Sequence, residues 1–299
     1  MRIHLLGAST PTGAAFRKLS CEKAFGVDLL AYSRSDPAME QLNLCDPSSV
    51  NSMVCRTGDV WVSFAPIWLL APFVQQVRRL RPGLIDGLAG IVACSSSSAL
   101  TKRFACNRFD RDLVRRLRDA EGSLSLQSQA LGVPLRLLSP TLIYGACGSW
   151  GDRNLSRLIG LMRLLPFLPL PAPSGLRQPI HISQLASVAW QLANDMACSR
   201  ILSSLDGPIV LGGDETLSYH DMLLRLQQAL PPDDPARHCR LWALPQRLFF
   251  AAASPLQLIS PKAFEAVLRM GADLAGFTPT HELLQQPEQS FPVLPLATP

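Results

Sequence analysis

The segment Gly7-Ala8-Ser9-Thr10-Pro11-Thr12-Gly13 carries residue types whose spacing suggests chemistry. It follows a short apolar run and opens a helical stretch. A strand, a glycine turn and a helix start leave backbone N–H groups and the positive end of the helix dipole aimed at one spot, where a pyrophosphate can sit. Gly7 permits the tight turn and Gly13 close helix-to-strand packing, and Ser9, Pro11 and Thr12 complete the cradle. Thr10 stands where such a cradle carries its middle glycine. Its side chain either crowds an approaching phosphate or caps the helix, which puts Pro11 at the first helical position. The next apolar run ends Ala31-Tyr32-Ser33-Arg34, where a dinucleotide fold meets the adenosine ribose. A guanidinium there suits a 2′-phosphate, so NADP is expected over NAD, with Asp36 keeping NAD open.

Parallel β-α-β units would position such a site. Apolar runs at residues 3–6, 29–33, 60–64, 91–94 and 135–138 alternate with helical stretches at 13–23, 72–80 and 111–131, and 84–85 could add a short strand. Continuous apolar runs imply burial on both faces of the sheet. The expected fold is α/β: a Rossmann-type doubly wound parallel sheet with helices on both faces and a smaller C-terminal substrate lobe. After Gly145 the composition changes. Prolines crowd residues 166–173 and bar a continuous helix there, because each removes a backbone donor; this reads as lobe or lid. A strand at 179–182, a helix at 184–195, a strand at 209–211 and a helix at 216–230 follow, with helical pieces at 245–253 and 261–274. The domain expectation is a dinucleotide-binding domain over 1–145, rejoined by 179–211, and a substrate or lid lobe from 146–178 and 212–299.

Composition excludes several classes. The 299 residues are 47% hydrophobic and 17% charged, which rules out disorder as the overall state. Net charge is +5, yet four of the 28 cations are lysines and 24 are arginines, a bias toward bidentate grip on phosphate or carboxylate. These cations are scattered, and the dense run at 103–118 is offset by Asp110, Asp112 and Asp119, so no nucleic-acid partner is expected. The eight cysteines lie far apart with no C-x-x-C, so no metal site and no disulfide framework are expected and the thiols read as buried and reduced. Too few apolar residues precede Gly7 to form a signal-peptide core. The greasiest stretches, around 161–171 and 248–259, fall short of the ~20 residues of a membrane span. A cytoplasmic chain without a membrane span is expected, with membrane-surface contact by either stretch as a lesser option.

From here the sequence resembles the extended and atypical short-chain dehydrogenase/reductases, specifically the NAD-dependent epimerase/dehydratase group that acts on nucleotide sugars. The matching stretches are the Gly7–Gly13 turn, Asn43-Leu44-Cys45-Asp46, Val62-Ser63-Phe64-Ala65-Pro66, Cys94-Ser95-Ser96-Ser97-Ser98, Pro140-Thr141-Leu142-Ile143-Tyr144-Gly145, Arg177-Gln178-Pro179-Ile180-His181-Ile182 and Leu211-Gly212-Gly213-Asp214-Glu215-Thr216-Leu217-Ser218, in the family's order. The resemblance implies that Asn43 and Leu44 contact the adenine, that Ala65 and Pro66 pass the cofactor, and that Ser97 or Ser98 hydrogen-bonds a substrate oxygen. It implies that Tyr144 stands at the mouth of the substrate cleft, and that Arg153, Asn154, Arg177 and His181 line that cleft for an anionic, nucleotide-sugar-like small molecule. Guanidinium groups suit a diphosphate because they grip it bidentately. A homodimer through two helices of the dinucleotide-binding part is also implied.

One departure matters. Catalysis in the family resembles proton relay through Tyr-x-x-x-Lys, and the residues four places after Tyr32, Tyr144 and Tyr219 are Asp36, Gly148 and Leu223. Aligning Glu121 with the glutamate that follows the family's lysine puts the pair on Leu113 and Leu117. Either another group, Tyr144 or Lys102, serves in its place, or the protein is a catalytically inactive, cofactor-binding scaffold or assembly protein of the same descent.

Overall fold

The structure is a computed structural model that describes residues 1–23, 26–105, 107–199 and 207–297. The first half builds β1 (Arg2–Leu6), α1 (Pro11–Lys23), β2 (Asp28–Ser33), β3 (Glu40–Gln41), β4 (Val60–Ser63), α2 (Ile67–Leu80), β5 (Gly90–Cys94), α3 (Ser98–Thr101), α4 (Arg108–Leu131) and β6 (Leu135–Pro140). Short pieces follow: β7 (Ile143–Tyr144), β8 (Ala146–Cys147), β9 (Trp150–Gly151), α5 (Leu155–Leu164), β10 (Phe167–Ala172), β11 (Leu176–Arg177) and β12 (Ile180–His181). The chain ends with α6 (Ile182–Ala197), β13 (Ile209–Gly212), β14 (Leu217–Ser218), α7 (Tyr219–Ala229), β15 (Arg240–Pro245), α8 (Gln246–Ala253), α9 (Leu256–Ile259), α10 (Pro261–Met270), β16 (Thr278–Pro279) and α11 (Thr280–Leu284).

Eight strands form one sheet in the order β16-β13-β6-β5-β4-β1-β2-β3, with every neighbouring pair parallel. The strand order reverses between β1 and β4, so the crevice for a ligand lies at the carboxyl ends of those strands. Both faces are covered, as the unbroken apolar strands require. Leu6, Trp61 and Ile91 pack with Phe73 of α2 and Leu117 and Leu124 of α4 on one face. Ile3, Leu5 and Val62 pack with Phe16 of α1 and Leu185 and Ala189 of α6 on the other. A third cluster joins Tyr144, Ile159, Leu170, Met222 and Leu226 in the lobe. The doubly wound sheet is thus the fold the sequence predicts, and β16 returns the chain to it once more, beyond 179–211.

Some local expectations change. The proline-rich 166–173 holds a strand: β10 pairs in parallel with β15, Pro169 opposite Trp242. Prolines at alternate positions share one strand edge and leave the intervening N–H groups for the partner. Helix α2 starts ahead of Pro72, which lies inside it, because Pro66 takes the cap position. Residues 82–84 form a 3-10 turn rather than leading into a strand. The sequence predicts buried thiols, but of the seven described cysteines Cys239 alone is buried, and Cys21, Cys45 and Cys198 are exposed; Cys106 lies outside the described residues. Beneath the sheet His4, Cys55 and Asp59 come together with ligand-type atoms within 4.8 Å of one another. Both ring nitrogens of His4 are engaged, by Asp59 at 2.9 Å and Tyr32 at 3.0 Å, and burial pushes the Cys55 thiol up to about 11, away from the thiolate that would bind a metal.

Candidate functional site

Gly7 sits at φ +76°, where an added Cβ would lie 2.5 Å from the Ala65 nitrogen. The turn is therefore pressed against the strand end that carries Ala65 and Pro66. Thr10 resolves the question its position posed: Oγ1 donates to the Gly7 carbonyl at 2.8 Å and accepts from Gly13 N at 3.0 Å. It is the helix N-cap, folded back into the turn, with Pro11 at the first helical position as that role requires. Thr10 N and Ala14 N are satisfied by Gly7 O and Thr10 O, and among the described residues the amides of Ser9 and Thr12 meet no acceptor. Two free donors at the positive end of α1 fit a pyrophosphate.

The groove that receives this turn is lined by Gly7, Ser9, Thr10, Ser33, Arg34, Asn43, Leu44, Ala65 and Pro66, among others. Ser33 Oγ donates to Ser9 Oγ at 3.0 Å and accepts from Ser35 N and Asp36 N at 3.2 and 3.1 Å, which fixes the rim where Arg34 stands exposed. Asn43 Oδ1 holds its own turn by accepting from Cys45 N at 3.1 Å. Of the cradle residues, Pro11, Thr12 and Gly13 form the helix start behind this lining. These residues could hold a nicotinamide dinucleotide: the Ser9 and Thr12 amides would meet the phosphates, Asn43 and Leu44 would flank the adenine, and Arg34 with Ser35 would meet a 2′-phosphate. An Arg34→Glu variant should lower the preference for NADPH over NADH about 10- to 100-fold, the worth of one charge-assisted contact. Titration of both carriers by fluorescence checks this, and an unchanged ratio would remove Arg34 from the cofactor site.

A second cleft opens past the ends of β5 and β6 and is lined by Ser95 to Ser98, Lys102, Arg153, Asn154, Arg157, Arg177, Tyr219 and Arg269, with apolar residues between them. Ser95 is tied down by donating to the Glu121 carboxylate. The hydroxyls of Ser97 and Ser98 meet no partner among the described residues, and Ser97 N bonds Pro140 O at 3.0 Å, which seats the loop against β6. Arg153 and Arg157 are exposed in the cleft, with no ion-pair partner among the described residues. Asp152 pins the approach to α5 by accepting from Asn154 N and Leu155 N at 2.7 and 2.8 Å, and Asn154 donates to Ile143 O at 3.1 Å, so both arginines project from a pinned helix start.

Arg177 is buried and hydrogen-bonded to carbonyls: it donates to Leu176 O at 2.6 Å, to Ala272 O at 2.7 Å and to Arg269 O, and its guanidinium lies 5.0 Å from the Tyr219 ring centre. Burial pulls its pKa down. It lines the cleft while holding the end of α10 to β11. Opposite, Asp110 accepts from Lys102 at 2.8 Å and Arg269 at 3.0 Å.

Two expected cleft residues lie elsewhere. Tyr144 is buried in the lobe core, edge-on to His181 and Phe291, with its hydroxyl accepting from Val293 N at 2.9 Å. It does not stand at the cleft mouth, because the C-terminal segment is laid over it; burial raises its pKa far above the ordinary phenol value. His181 is the N-cap of α6 in a capping box with Gln184, and its other nitrogen faces Pro295 O at 3.3 Å. Tyr219 is the tyrosine that lines the cleft. Sequence reading missed Arg157, whose four-residue spacing from Arg153 is a readable signal. It also missed Arg269 and the role of Asp110, which no local spacing announces.

No family model and no curated protein matches the sequence. Solved structures do match in shape. Gre2 from Candida albicans, in complex with NADPH, aligns with a TM-score of 0.64 at 11% identity over 97% of this chain and 95% of that one. RMD from Pseudomonas aeruginosa, complexed with NADPH, aligns at 0.61 and 12% over 97% and 95%. UDP-glucuronic acid 4-epimerase from Bacillus cereus, in complex with NAD, aligns at 0.55 and 13% over 95% and 99%. Among the described residues no helix is long and apolar enough to cross a membrane. The chain therefore shares its fold with these NADPH- and NAD-bound structures.

Proposed function

We propose that this protein is a cytoplasmic NADP(H)-binding enzyme of the epimerase or reductase type, acting on an anionic, nucleotide-sugar-like small molecule. The observation that carries the reading is the pair of cavities at the carboxyl edge of the sheet. One offers the Ser9 and Thr12 amides and Arg34; the other offers two serine hydroxyls that meet no partner among the described residues and the exposed guanidiniums of Arg153 and Arg157. A bound nicotinamide would supply hydride chemistry, and the chain supplies binding, orientation and electrostatics. Ser97 and Ser98 hydroxyls can donate to a substrate carbonyl, and Arg153 and Arg157 can grip its diphosphate bidentately.

A second reading has its own support. The positions of the missing proton relay, Leu113 and Leu117, pack against the core cluster, with Leu117 fully buried. This favours a cofactor-binding scaffold. Purified protein incubated with NADPH and a panel of nucleotide sugars separates the two: oxidation of NADPH or interconversion of the sugar supports the enzyme, and stoichiometric NADPH that never changes redox state supports the scaffold. In the same assay an Arg153→Ser/Arg157→Ser double variant should weaken sugar-nucleotide binding about 100-fold or more, since each charge-assisted contact contributes about 1.5–3 kcal/mol. NADPH affinity should be untouched. Equal binding by the variant would place the diphosphate elsewhere.

A further inference from the structure

The mouth of the second cleft has two exposed apolar lips. One combines Phe104, just past α3 and 82% exposed, with Phe109 in the first turn of α4, 70% exposed; Thr101 and Lys102, which precede Phe104, line the cleft. The other is α9, where Leu258 is 90% and Ile259 78% exposed, and which runs through Ser260 into α10, whose Ala266 and Arg269 line the cleft from the facing side. The lips meet: Lys262 Nζ stands 5.8 Å from the centre of the Phe109 ring. Side chains this large and this exposed need a partner that buries them, because monomeric surfaces rarely keep contiguous apolar patches.

The charge around the lips identifies that partner. Arg103 lies over the Phe104 ring at 4.6 Å, and Lys262 over Phe109, so each aromatic carries a cation on a long stem. Arg108 stands beside them. The acids nearby are spoken for: Asp110 is buried between Lys102 and Arg269, and Asp112 sits between Arg108 and Arg115 at 3.6 and 3.7 Å. Glu265 follows on α10, but the whole run from Arg240 to Phe264 holds three cations and no acid. The apolar side chains of the two lips stand exposed among these cations. Aromatic and aliphatic tips that enter an acyl boundary, ringed by Lys and Arg that stay at the headgroups, are how a peripheral protein sits on an anionic bilayer.

We propose that the lips formed by Phe104, Phe109, Leu258 and Ile259 dock this protein on an anionic membrane surface, with the cleft opening toward the headgroups. Each cation near such a surface strengthens binding about fivefold, and the apolar tips add to it. The docking rests on the lips alone and stands whether or not the cleft is a substrate site.

The test is flotation of the full chain with vesicles of phosphatidylcholine, with and without about one-third phosphatidylglycerol. Wild-type protein is expected to float with the anionic vesicles and to fall away in high salt. A Leu258→Glu/Ile259→Glu variant should float about tenfold less, as should Arg103→Glu/Lys262→Glu, while both keep the wild-type melting temperature. No flotation of the wild type, equal flotation on neutral lipid, or flotation unaffected by the two variants overturns the proposal. Light scattering completes the experiment: a dimer that Leu258→Glu/Ile259→Glu dissolves would make the lips a contact between copies and would also overturn it.

Discussion

A Gly13→Ala variant should lose NADPH affinity by about two orders of magnitude or more. The added Cβ would fall 2.4 Å from the Gly7 carbonyl oxygen and 2.9 Å from the Ala8 Cα, both backbone atoms that cannot rotate aside. That carbonyl is also the acceptor for Thr10 N and Thr10 Oγ1. To make room, the turn must open, which displaces the Ser9 and Thr12 amides from their common aim. Hydrogen bonds to a charged ligand contribute about 1.5–3 kcal/mol each, so losing alignment of both removes about a hundredfold in affinity at the least. Thr10→Val is the matched control. It deletes the cap hydroxyl without adding bulk and should cost about 1 kcal/mol of stability while leaving NADPH binding close to wild type. Titration of both variants against melting curves checks the pair. If Gly13→Ala binds NADPH normally, or Thr10→Val loses it, the amides of this turn are not the phosphate site.

The strands of the sheet were legible because parallel strands buried on both faces read as unbroken apolar runs. Residues 3–6, 29–33, 60–64, 91–94 and 135–138 each coincide with a strand of the sheet within a residue or two. The lobe was less legible. Pro169 and Pro171 read as breakers, yet on an open strand edge a proline gives up no hydrogen bond, and the partner strand β15 lies about 70 residues away. Within the cleft, the serine run and the arginine after Asp152 are local features and could be placed from sequence. Tyr144 and His181 could not be separated from the cleft in the same way, because what removes them is the segment near Val293 and Pro295, which folds back from the far end of the chain. The same distance hid the partnership of Asp110 with Arg269, which are 159 residues apart.

That partnership supplies the other large effect. Asp110 is 3% exposed and stands in the first turn of α4, where Asn107 caps the helix through the Asp110 N–H at 2.9 Å and donates to its carboxylate at 2.9 Å. Burial alone would raise the Asp110 carboxyl, but hydrogen bonds from Lys102, Asn107 and Arg269 outweigh it and hold the group well below the usual carboxylate range. Removing one partner of a buried pair costs about 3–5 kcal/mol. Lys102 and Arg269 keep 21% and 22% of their side-chain surface in water, which relieves part of the stranded charge and favours the lower end. Asp110→Ala should therefore lose about 3 kcal/mol, a drop in melting temperature of about 6–12 °C for a chain of this size. The pH dependence distinguishes lost charge pairing from lost packing. A folded pKa depressed below the unfolded value of about 3.9 contributes stability that is fully present above that value and is lost as pH falls through the depressed range. The gap between wild type and Asp110→Ala should accordingly be constant near neutrality and close as the pH drops below about 4. A gap that persists unchanged in acid would mean that the cost came from the cavity, and that the carboxylate does not latch α10 across the cleft to α3 and α4.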